Sequence, residues 1–148
     1  MRAHIPLLLA AVLALSSSHA ADLRVSHAWA RATAPGQPVG AAFMDLSAAT
    51  DMVLLGAESP AARVVELHTM SMQEGVMQMR QLDRIELPGK RTVSLRPGGL
   101  HIMLIELTGA LRAGSRTTLN LRVQRAGGKE EIVPVEVPVL ASAPAPRR

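Results

Sequence analysis

The sequence predicts an all-β chain, a single domain of the antiparallel sandwich or Greek-key barrel kind, on three observations. From Leu23 onward apolar and polar residues alternate at period two. Short runs rich in Val, Ile, Leu and Thr recur between breaks such as Pro88-Gly89, Pro97-Gly98-Gly99 and Gly127-Gly128. No segment sustains a helical apolar period and no internal repeat is present, which argues against a parallel sheet wound with helices. At 148 residues, 48% hydrophobic and 19% charged, the chain suits one domain with a real core and is no disordered polymer.

Arg2, the apolar run over 5–15 and Ser18-His19-Ala20 together match a secretory signal cleaved after Ala20. An apolar run of about eleven residues is too short to cross a bilayer, so no membrane span is expected. Residues 1–20 are thus read as a signal peptide, with export to the periplasm; residues 21–140 form the domain. The first strand places Leu23, Val25, His27 and Trp29 on one face, and Ala34-Pro35-Gly36-Gln37-Pro38 ends it. Further strands are predicted at 40–46, 53–57, 63–70, 76–82, 92–95, 100–107, 117–123 and 130–137. Pro134 and Pro138 make the last an edge strand. Residues 141–148, ASAPAPRR, read as a disordered tail.

Composition narrows the function. The chain has no cysteine, which removes disulfides, thiolate nucleophiles, iron–sulfur clusters, Cys-type zinc sites and blue-copper centres. Trp29 and Phe43 are the only Trp, Tyr or Phe residues, so no aromatic platform for nucleic-acid bases exists. The formal charge of +4 is spread along the chain without runs and reads as ordinary solvation, with room for an acidic partner or anionic surface. No Ser–His–Asp arrangement, Gly-x-Ser-x-Gly or paired-carboxylate spacing stands out, and Pro97-Gly98-Gly99 precedes a strand, not the helix of a phosphate loop. Catalysis is not expected.

The segment from His68 to Met79 carries most of the information. On a strand His68, Met70 and Met72 share a face, as do Met77 and Met79. A two-residue turn at Glu74-Gly75 or at Gln73-Glu74, the former favoured because Gly tolerates positive φ, brings all five side chains to one face; a three-residue loop would not. In Leu100-His101-Ile102-Met103-Leu104, His101 and Met103 again share a face, with Leu100, Ile102 and Leu104 on the other. Thioether sulfur is a soft, neutral ligand and imidazole accepts several metals, so a His/Met set without thiolate favours Cu(I). The rival reading is core filling, the ordinary use of methionine, and it is adopted for Met44 and Met52. It suits 68–79 less well, because Ser and Gln interleave and histidines on an apolar face need partners.

These residues resemble the periplasmic copper chaperone family called PCuAC, whose members carry H-x10-M-x21-H-x-M. Ten residues separate His68 from Met79, twenty-one separate Met79 from His101, and one separates His101 from Met103. Random placement at this composition matches in roughly 4 cases in 10,000. Ala28-Trp29-Ala30-Arg31, the segment 35–42, Glu66-Leu67-His68-Thr69-Met70, Gly75 to Arg80 and Pro97-Gly98-Gly99 are similar too, so the resemblance spans roughly 22–139.

The resemblance implies a cupredoxin-like β-sandwich holding one Cu(I) per chain through His68, Met79, His101 and Met103. It further implies delivery toward the dinuclear copper centre of cytochrome c oxidase subunit II, with a Sco-type protein as a further partner. Met70, Met72 and Met77 fall outside the motif and are read as an auxiliary thioether relay. The stretch 47–51 is short for the family, and the tail lacks the His and Met that some relatives carry, so no second site is expected there. Glu66, two residues before His68, is a candidate to orient its imidazole. His27 is read as a structural histidine, and Trp29 and Arg31 as packing and surface charge. A monomeric copper carrier is the favoured reading. A copper buffer or resistance protein without an acceptor, and a metal-free exported interaction module, are the alternatives.

Overall fold

The computed structural model describes residues 22–146; the signal segment expected over 1–20 and the last two residues of the tail lie outside the described residues. Ten strands follow one another: β1 (Leu23–Arg31), β2 (Val39–Ala48), β3 (Met52–Glu58), β4 (Ala62–Gln73), β5 (Val76–Leu82), β6 (Ile85–Leu87), β7 (Thr92–Leu95), β8 (His101–Leu107), β9 (Arg116–Arg125) and β10 (Glu130–Leu140). No helix occurs among the described residues. The nine expected runs are all strands, and β6, only three residues long, is the addition.

One layer runs β5-β4-β8-β2-β1, with β7 beside the second half of β2; the other runs β10-β9-β3-β6. Pairing is antiparallel except where Ala30 and Arg31 of β1 meet Val139 and Leu140 of β10 in parallel and join the layers. Leu54 and Leu121 from one layer and Leu46, Ile102 and Leu104 from the other are fully buried in a shared core. Each such side chain contributes about 1.5–3 kcal/mol. Met44 and Met52 join that core, as the core-filling reading expected.

Two sequence expectations change. Leu23 and Val25 pack on the core, but Trp29 does not share their face. The register runs Ser26↔Asp45, then Trp29↔Phe43, three residues of β1 against two of β2, with His27 at φ 57°. This β-bulge reverses the alternation beyond it, as a one-residue slip must, and turns Trp29 to the outer face. The other change concerns β10, which lies between β9 and β1 in the hydrogen-bonded order and not at an edge. The prolines are tolerated because Val139 N–H donates toward the β9 side, to Ser115. Residues of even number, Pro134 and Pro138 included, therefore point their missing N–H away from β9, along a flank where only the last two residues are paired. The short stretch 47–51 closes tightly: Gly89 N–H donates to Asp51 Oδ1 at 2.8 Å, and a Cβ on Gly89 would lie 2.9 Å from the Thr50 backbone.

Candidate metal centre

The hairpin of β4 and β5 turns on Glu74-Gly75, both at positive φ (49° and 77°), the conformation of a two-residue type I′ turn. Register follows from it: Met72 faces Met77, Met70 faces Met79, and His68 faces Gln81. On the other flank of β4, His68 faces His101 and Glu66 faces Met103 of β8. Directly paired residues project to the same side, so both histidines and all five methionines of the two segments share one face. Ile102 and Leu104 point the other way, into the core.

His101 is 4% exposed, and its ring lies 5.8 Å from that of His68, centroid to centroid. The row of cross-strand neighbours continues through Phe43, 6.3 Å from His101, to Trp29, 4.7 Å from Phe43. The bulge at His27 is what places Trp29 here. Trp29 and Phe43 are both buried, and the Arg31 guanidinium sits 5.6 Å over the indole. These rings keep water from one side of the histidine pair.

Hydrogen bonds fix which imidazole nitrogens are free. His101 Nδ1–H donates to the Gly99 carbonyl at 2.8 Å, leaving the Nε2 lone pair of the neutral ring unused. His68 is held the other way round: Nε2–H donates to Glu66 Oε2 at 2.7 Å. Its Nδ1 is buried and has no hydrogen-bond partner among the described residues. Leaving such an atom unsatisfied costs about 1–3 kcal/mol, so this nitrogen needs an explanation. A soft metal ion is one chemistry that supplies a partner, and a carboxylate behind a ligating imidazole is the usual support. No three His, Asp or Glu side chains cluster to hold an ion among the described residues, so side-chain donors beyond the two imidazoles would come from the methionines on the same face.

The motif methionines sit on either side of the histidines. Met103 is half-buried and Met79 is 48% exposed, each a diagonal neighbour of His68 but at opposite corners of the pattern. On a flat sheet they would lie roughly 16 Å apart. For both to meet one ion, the ribbon must twist and coil toward β8, as two-stranded ribbons do strongly. Met72 and Met77 are farther out, 63% and 50% exposed. His27 stands apart from this face and is satisfied by Asp45, Nδ1 to Oδ2 at 2.9 Å. Sequence reasoning singled out Glu66 but missed Gly99 and Phe43, whose parts depend on register and loop path.

Residues 23–139 match the model of the LpqE-like family, described as lipoprotein LpqE-like. The protein Lxx21020 of Leifsonia xyli subsp. xyli, named as a lipoprotein, is 32% identical over 117 residues, which cover 77% of this chain and 69% of that one. Among solved structures, the copper-bound PCuAC domain from PmoF2 superposes with a TM-score of 0.66 at 25% identity, over 82% of this chain and 94% of that one. The solution structure of Cu(I)-DR1885 from Deinococcus radiodurans gives a TM-score of 0.55 at 26% identity, over 86% of both chains. The fold is the expected cupredoxin-like β-sandwich.

Proposed function

The chain belongs to the LpqE-like family, and from that premise we propose that it is a periplasmic Cu(I) carrier whose face of histidine and methionine holds copper and passes it on. The observation that carries this reading is His68 Nδ1, a buried lone pair without a partner on a ring already oriented by Glu66. His101 Nε2 offers a second imidazole nitrogen, and Met103 and Met79 are the proposed thioethers. This donor set is neutral and soft, which suits Cu(I) and gives Cu(II) a poor home. Copper in the related PCuAC domain and in Cu(I)-DR1885 supports the same cargo. Residues 1–20 serve as the export signal, 21–140 as the copper domain and 141–148 as a tail, in a monomer.

Handing on is favoured over storage because Met79 stands in solvent, with Met70, Met72 and Met77 beside it, where an acceptor's ligands can reach the ion. The acceptor we assign is the dinuclear copper centre of cytochrome c oxidase subunit II, directly or with a Sco-type protein. Cu(I)-loaded protein mixed with the metal-free copper domain of that subunit tests it. Transfer at a rate above that of free Cu(I) chelate is expected. Copper retained by the loaded protein would make it a buffer instead.

A further inference from the structure

We propose that Met70, Met72, Met77 and Met79 form a second site, an all-thioether seat for a soft monovalent cation, Cu(I) or Ag(I), on the hairpin itself. The site shares Met79 with the centre above but needs neither of its histidines. The register supplies the geometry: Met70 faces Met79 and Met72 faces Met77, two consecutive same-face pairs. Cβ atoms of such direct pairs lie about 4.5–5.5 Å apart, and diagonal ones about 7–8 Å. The sulfur of methionine is two bonds beyond Cβ on a freely rotating stem, so three or four sulfurs can meet one ion above the strands.

The surroundings fit a site and not a core. Met70 N–H donates to the Gly99 carbonyl at 3.1 Å, and β8 begins only at His101, so beyond Met70 the hairpin leaves the body as a two-stranded ribbon. The ribbon's other flank is the free edge of the layer. Three of the four methionines are about half exposed or more. Packing therefore does not explain four methionines on one face of a solvent-facing ribbon. Ser71 and Gln78 between them, with Thr69 and Arg80 flanking, alternate to the other face, and the one adjacent carboxylate, Glu74, lies in the exposed turn and is not among the paired residues. Neutral thioethers in water bind more weakly than a desolvated mixed set, so this ion loads second and leaves first.

Native mass spectrometry of the metal-free protein under stepwise Ag(I), which needs no reductant, reads the stoichiometry. Methionine Cε methyl NMR locates each ion. Wild type is expected to take two ions, the second one shifting the methyl signals of Met70, Met72 and Met77. Met70→Leu/Met72→Leu/Met77→Leu, which alters only the ribbon, is expected to take one. His68→Asn/His101→Asn is expected to keep one, on the hairpin. A wild type that saturates at one ion, lost with the histidines and retained by the leucine variant, would overturn the second site and leave the centre standing. An ion lost only with the three methionines would keep the hairpin site and remove the histidine centre.

Discussion

Met44 and Met52 lie between the two sheets at 1% and 2% exposure, whereas Met72, Met77 and Met79 stand out on the ribbon of β4 and β5. The same side chain meets opposite surroundings within one small domain. In the core its flexibility fills gaps left by leucine and valine, and its sulfur is incidental. On the ribbon Met72, Met77 and Met79 are about half exposed or more, and the sulfur is open to an ion. Between the two regions lie His68, His101 and Met103, half-sheltered by Phe43 and Trp29 and open toward the ribbon. The proposed copper centre thus sits at the border where packing gives way to solvent.

The contrast is broken most severely in the core. Met44→Ala should cost about 2–5 kcal/mol of stability, read by urea unfolding, because a buried cavity cannot refill. Copper affinity of the protein that remains folded should not change. At the border, Glu66→Leu should lower Cu(I) affinity about 10–100-fold in a competition titration, since His68 loses the carboxylate that orients it. Glu66→Gln, which can still accept from Nε2–H, should lose less. Unchanged affinity in both variants would remove Glu66 from the centre.

Out on the ribbon effects shrink. Glu74→Asn should stabilise the hairpin by up to about 1 kcal/mol, because Asn tolerates positive φ better than Glu. Slower amide exchange across residues 70–79 would report it. Met72→Gln should leave global stability within about 0.5 kcal/mol, the behaviour of an exposed position. A larger loss would mean that the ribbon methionines are packed after all.

What could be read from sequence follows the range of the physics involved. The alternation of His68, Met70 and Met72 and the Glu74-Gly75 turn are local, so the shared face of the methionines was legible. So was the inward set of Leu100, Ile102 and Leu104. The bulge was not, because it sits on His27, a residue type with no mark of a bulge, and it alone decides that Trp29 joins Phe43 beside the site. Ile85-Glu86-Leu87 is too short to show a period. The seat of β10 between β9 and β1 depends on a parallel contact between the two ends of the domain, which local pattern does not carry. The free nitrogen of each imidazole is set by Glu66 and by the Gly99 carbonyl, one legible from spacing and the other only from the path of a loop.

The claim that copper is held at this border by histidine and methionine together is tested most directly by titrating Cu(I) into the protein against a chromophoric competitor, beside Met79→Leu/Met103→Leu. The account predicts one tightly held Cu(I) in wild type and a collapse of that affinity in the variant, with the fold intact by circular dichroism. Failure of both proteins to compete would contradict it and return the motif methionines to ordinary packing.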